Sequence, residues 1–156
     1  LIAQGADVVT HHTDSTAVVA AAEAKRKMAV AYHSNMAKFG PNAQLVAVTH
    51  HWGDYYTQRA QAALNGSWSV APVWGGIKDG FIRLQGLADN LPPDLVEGVK
   101  ARQDEIRAGK FHPFTAPIKS NDGKEVLGSG SLTDAQLGAM NYYVEGVIGK
   151  VPVGGN

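Results

Sequence analysis

Short apolar runs alternate with helix-forming stretches over the first 64 residues. Residues 6–10 (ADVVT) follow Gly5 and precede the polar cluster His11-His12-Thr13-Asp14, which predicts a short strand buried in a parallel sheet. Residues 1–5 (LIAQG) read as the last turn of a helix closed by Gly5. Asp14, Ser15 and Thr16 supply N-cap side chains for a helix over 17–27, which is rich in Ala and ends in Lys25-Arg26-Lys27, where cations meet the negative end of the helix dipole. Runs 28–32 (MAVAY) and 44–49 (QLVAVT) predict two further strands, separated by a polar segment with Gly40-Pro41. Asp54 is placed to cap a helix over 55–64 that stops at Asn65-Gly66. Strands and helices alternating through short links predict a parallel sheet covered by helices.

The pattern then changes. Residues 73–84 (VWGGIKDGFIRL) read as a strand interrupted by Gly75-Gly76 and Gly80, where a ligand or another backbone can approach closely. After Pro92-Pro93, residues 94–108 predict an amphipathic helix presenting Leu95, Val99 and Ile106 and ending at Gly109. Residues 111–118 and 124–127 flank Asn121-Asp122-Gly123, a hairpin signal. Thr133 with Gln136 forms a capping box and Leu132 with Leu137 a hydrophobic staple, opening a last helix whose stripe continues through Met140, Val144 and Val147. Trp68, Trp74, Phe81, Phe111, Phe114, Tyr142 and Tyr143 are expected as core or subdomain contacts, with Trp74 alone keeping functional weight beside the glycines. There is no internal repeat, and no low-complexity segment longer than the Gly154-Gly155-Asn156 tail.

The 156 residues carry 14 Lys+Arg against 14 Asp+Glu, a balance that argues against a general binder of nucleic acid or anionic lipid. With 44% hydrophobic residues the chain is built to bury a core, and its 18 Gly exceed the usual ~7% and imply many tight connections. No apolar run approaches the ~18–20 residues of a membrane span. The absence of Cys removes disulfides and thiolate zinc sites and fits an oxidising compartment. The first residue is Leu1 and no signal peptide follows, so the chain is expected to start inside a fold.

In a parallel sheet, ligands bind outside the carboxyl ends of the strands. Three predicted strands end there in His11-His12-Thr13-Asp14, Tyr32-His33-Ser34-Asn35 and His50-His51-Trp52-Gly53-Asp54, which hold five of the six His. One reading is a cleft for a small planar ligand, with Trp52 or Tyr55 stacking and Asp14, His33 or Asp54 hydrogen bonding. A second is a metal site using His12, His33 and His50 with Asp14, although no H-E-x-x-H occurs and adjacent His residues on a strand point to opposite faces. A third makes these residues strand-end groups bonded to backbone, with Asp14 and Asp54 as N-caps. No G-x-S-x-G elbow surrounds Ser15 or Ser34, and the 75–80 stretch is not a phosphate loop. Lys78 and Asp79 are either a surface ion pair on a hairpin or a grip on the polar edge of a ligand.

Gly5-Ala6-Asp7-Val8-Val9 leading to His12-Thr13-Asp14-Ser15, then Tyr32-His33-Ser34-Asn35-Met36, His51-Trp52-Gly53-Asp54-Tyr55-Tyr56, Trp74-Gly75-Gly76-Ile77-Lys78-Asp79-Gly80 and Gly109-Lys110-Phe111-His112-Pro113-Phe114 occur in this order. Together they resemble the C-terminal half of the basic membrane protein family, the substrate-binding proteins of ABC importers related to a purine nucleoside receptor. The resemblance implies an α/β fold of the type I periplasmic-binding-protein class: a parallel sheet flanked by helices, with two lobes closing on a ligand. It implies a non-enzymatic receptor that binds a purine nucleoside or nucleobase and delivers it to a membrane permease, outside the cytoplasm and without a cofactor, metal or nucleic-acid partner. Trp52, Asp14, Lys78 and Asp79 are the first site residues it suggests, with His12, His33 and Asp54 after them.

The resemblance also divides the chain. Residues 1–49 become a second-lobe α/β segment, 50–72 a crossover loop and helix belonging to a first lobe, and 73–156 a returning strand, helix, hairpin and C-terminal helix of the second lobe. The N-terminal lobe is absent from these residues, so an apolar face is expected to await that lobe or a second copy of the chain. Two alternatives stand beside the receptor: a metal-dependent, nucleosidase-like hydrolase built on the strand-end His cluster, and the ligand-sensing domain of a regulator.

Overall fold

The computed structural model describes residues 1–152, so the Gly154-Gly155-Asn156 tail lies outside the described residues. The chain divides into two units, Leu1–Ala108 and Gly109–Asn156. In the first unit, β1 (Val8–Thr10), β2 (Met28–His33), β3 (Gln44–His50) and β4 (Ile82–Gln85) form one sheet in that order. The β1–β2 and β2–β3 pairs are parallel, as the alternation of apolar runs and α1 (Ala17–Ala24) predicts. β4 runs antiparallel to β3. After α2 (Trp52–Leu64) the chain turns at 77–80 and rejoins the sheet beside the carboxyl end of β3, where His51 N–H donates to the Phe81 carbonyl at 2.7 Å. Entering from that end, it can only run back along β3.

One face of the sheet packs on α1. Val9, Ala29, Ala31 and Ala47 join Val19 and Ala22 of the helix, with Met36 and Ala43 from the β2–β3 connection, in a single buried cluster. Small strand residues let the helix lie close, and Gly40 lets the connection do the same: a Cβ there would stand 2.7 Å from a Val19 methyl. Glu23 fastens the other end of the connection, its carboxylate accepting from the Asn42 side chain at 2.7 Å and from Asn42 and Ala43 N–H at 2.9 and 2.7 Å. The Asn42 amide, followed by these backbone donors, holds that carboxyl below its ordinary range. α1 stops at Ala24, before the predicted basic end, because Arg26 turns the chain at φ 53° into β2.

The other face is half open. Val30, Tyr32, Val46, Val48 and His50 lie on it only partly buried, and Val8 and Met28 are exposed. α2 and α3 (Pro93–Arg107) bury no residue completely. α3 starts with a proline at its first position, as predicted, but its Leu95 is exposed rather than packed. On the α1 side, an open apolar groove of about 710 Å³ runs along Leu1, Ile2, Val9, Val18 and Ala21.

In the second unit β5 (Ile118–Lys119) and β6 (Glu125–Leu127) form the predicted hairpin, with Gly123 in the left-handed region at φ 86°. The run 111–118 contributes only its end to β5, because Pro113 and Pro117 remove backbone donors. The capping box of Thr133 and Gln136 is present, yet α4 (Asp134–Gly138) lasts five residues. The predicted continuation through Val144 is instead spent on pairing: Glu145 N–H donates to the Lys119 carbonyl at 2.9 Å and Asn121 N–H to Tyr143 at 2.8 Å. Trp68, Trp74 and Phe114, expected in the core, are exposed, since among the described residues the buried cluster is built from small and β-branched side chains of β1 to β3 and α1 together with Met36.

Candidate functional site

The carboxyl ends of β1, β2 and β3 carry a continuous row of rings. His12 stacks on Tyr32 with centroids 4.5 Å apart, Tyr32 lies 4.1 Å from His33, and His33 lies 5.1 Å from His50. His50 continues to Trp52 at 6.0 Å and to Phe81 at 5.7 Å. Trp52 meets Phe81 edge-on at 4.9 Å and stacks on Tyr56 at 5.6 Å, while 46% of it remains exposed. Period-2 alternation places Tyr32 and His50 on the open face, and the parallel strands bring their ends level. His33 reaches the same row by a different route: its backbone lies at φ 70°, in the left-handed region, and its Nδ1 sits 3.3 Å from Nδ1 of His50.

Beside this row lies a pocket of about 250 Å³, lined among others by His51, Asp54, Tyr55, Trp74, Asp79 and Phe81. Asp54 is not the helix cap that the sequence suggests. His51 occupies the N-cap position, and Asp54, in the first turn, bonds His51 Nδ1 at 2.9 Å and accepts from Arg83 at 3.1 Å. Arg83 also donates to the Gly80 carbonyl at 2.9 Å, so one guanidinium ties α2 to the 77–80 turn. Asp79 accepts from Gly76 N–H at 3.0 Å and closes that turn on itself. Lys78 and Asp79 therefore stand in a turn and not within a strand, because Gly80 adopts φ 73° and breaks the run.

The structure thus joins His12, His33 and Trp52 in the ring row and puts Asp54 and Asp79 on the pocket wall. Lys78 is exposed in the turn and does not line that pocket. Asp14 is exposed on the loop after β1, and the N-cap of α1 is Thr16, with Ser15 Oγ accepting from Ala17 N–H at 3.2 Å. Phe81 and Arg83 escaped the sequence reading as site residues. Phe81 follows a glycine turn and reads locally as a core residue, and only the antiparallel placement of β4 brings it against Trp52.

Burial, and then the neighbouring His33 and His12, push the proton affinity of His50 below the ordinary imidazole value of 6.5. An unfolded chain takes up this proton more readily than the folded one, so the stability linked to His50 is complete above about pH 6.5 and is lost as pH falls below it. Urea midpoints measured from pH 8 to pH 5 in buffer containing EDTA are expected to fall across this window, and His50→Gln to flatten the fall. An unchanged slope in that variant would remove His50 as the source.

A family model described as ABC transporter substrate-binding protein PnrA-like matches residues 1–111. A purine-binding protein of Brucella abortus is 42% identical over 153 residues, which are 97% of this chain and 43% of that protein. A protein named as a candidate ABC transporter glucose-binding protein of Haloferax volcanii is 26% identical over 152 residues, 97% of this chain and 37% of that one. The chain therefore spans less than half the length of either relative. The crystal structure of a transcriptional activator of the comK gene from Bacillus halodurans superposes with a TM-score of 0.64 at 19% identity, over 72% of this chain and 40% of that one, a likeness of fold.

Proposed function

The chain belongs to the PnrA-like family of ABC transporter substrate-binding proteins, and on that premise we propose that it supplies one wall of a cleft that binds a purine nucleobase or nucleoside. The observation that carries this reading is the ring row at the strand ends, with Trp52 half exposed at its edge. A flat heterocycle gains from stacking on such a surface, and a polar rim fixes its orientation. Trp52 is the stacking residue in this reading, with His12 and His33 at its side. Asp54 and Asp79 on the pocket wall are hydrogen-bonding groups of the rim, and Lys78 and Asp14, exposed on the 77–80 turn and on the loop after β1, are assigned the same role in this reading. The name of the Brucella relative favours a purine over the sugar of the Haloferax relative.

The opposite wall, in this reading, comes from a second α/β lobe, with residues 49–53 and 73–76 forming the crossovers about which the lobes close. Closure traps the ligand outside the cytoplasm and presents the complex to a membrane permease, and the ligand is released chemically unchanged. Among the described residues no helix is long and apolar enough to cross a membrane. Calorimetric titration with adenine, guanosine and glucose tests the substrate class. Saturable purine binding with none for glucose supports it, glucose binding alone overturns it, and release of free base from guanosine would point to the hydrolase instead.

The groove along Leu1, Ile2, Val9, Val18 and Ala21 is apolar and uncovered, and such faces pair. Sedimentation velocity of the isolated chain is expected to give species heavier than its 16.5 kDa, growing with concentration. A monodisperse monomer over the whole range would count against an unpartnered lobe.

A further inference from the structure

We propose that His33 and His50 form a two-imidazole binding site for a divalent transition-metal ion of the zinc and copper class. Their Nδ1 atoms lie 3.3 Å apart. Two imidazole nitrogens at the ~2.0–2.1 Å distance of a zinc ligand, set at the tetrahedral angle, stand about 3.3–3.4 Å from each other, so the pair already has the separation that one ion imposes. The backbone points the same way. His33 is one of two described non-glycine residues with positive φ, at 70°, and this conformation turns its ring off the strand and onto His50. A strained position of this kind persists where the surroundings impose it, and here it brings two metal-ligating nitrogens together.

The site is open. Among the described residues no set of three His, Cys, Asp or Glu side chains converges on one point, so the two imidazoles are the protein's share of the coordination and water fills the remaining positions. His12, 6.2 Å from His33 between ring centroids, is the nearest further imidazole of the row. Between two neutral rings 3.3 Å apart, one Nδ1 carries the hydrogen and the other accepts it. An ion needs both Nδ1 lone pairs, so the first ring moves its hydrogen to Nε2 and both stay neutral. Nitrogen ligands of this type select zinc, copper, nickel and cobalt over magnesium and calcium.

Cobalt(II) serves as the probe because its visible absorption reports coordination directly, with zinc titrated by calorimetry beside it. The expected result is one equivalent bound per chain. His33→Gly removes a ligand while relieving the left-handed backbone, so the variant keeps its fold, which circular dichroism checks. It is expected to weaken binding at least tenfold, and His50→Gln likewise. His112→Ala, in the other unit, is expected to bind as the parent does. No saturable binding by the parent chain, or equal binding by folded His33→Gly, would overturn the proposal.

Discussion

Gln44→Ala is expected to lower the stability of the chain by about 3–5 kcal/mol. Gln44 opens β3 with only 3% of its surface exposed. Its carbonyl accepts from the buried Met36 N–H at 2.8 Å, while its amide donates to Asn35 Oδ1 at 2.8 Å and to the Gly86 carbonyl at 3.1 Å. One side chain thereby ties the β2–β3 connection, β3 and the segment after β4 together. Truncation leaves a cavity and an orphaned backbone donor, and the two costs add. Gln44→Met retains the volume and loses only the hydrogen bonds, for which about 1–3 kcal/mol is expected. Urea unfolding of both variants separates the contributions, and a loss under 1 kcal/mol in Gln44→Ala would refute the account. Gly86 belongs to the same knot: at φ 58°, a Cβ there would stand 2.6 Å from the Gln44 amide.

Trp52→Ala is expected to reduce purine affinity by about tenfold or more, since stacking of a base on an aromatic ring is worth about 1–3 kcal/mol. In the proposed cleft Trp52 is already positioned for stacking. Phe81 supports it edge-on and Tyr56 covers part of one side, so its ring is oriented before any ligand arrives and little freedom is lost on binding. Trp52→Phe retains a stacking plane and should recover most of the affinity. If calorimetry finds the alanine variant within twofold of the parent, Trp52 is not the platform.

Much of the candidate site was legible because strand ends in a parallel sheet converge. His12, His33 and Trp52 each follow an apolar run in the sequence, and all three fall in the ring row. The partners that make the row continuous were harder to read. Tyr32 and His50 share a face only through the register between β2 and β3, and Phe81 arrives through β4, whose direction no local pattern states. Asp54 shows the same limit from the other side. An acidic residue near a helix start reads as a cap, but where the helix begins depends on the strand before it, and α2 starts two residues earlier than Asp54.

What the amino-acid sequence determined by itself is what local energetics decides. The short strands, α1, the Asn121-Asp122-Gly123 turn, the proline start of α3 and the Thr133–Gln136 capping box all follow from preferences acting within a few residues, and all are present. Only the tertiary structure decided the rest. α4 ends early because the residues beyond it pair with the β5–β6 hairpin, Gln44 is buried because three segments meet on it, and His33 turns to His50 through a backbone conformation that a strand pattern would not select. Each of these outcomes is a contest between a local preference of about 1 kcal/mol and contacts with residues distant in sequence, and the contacts win where they bury or pair more than the local choice would.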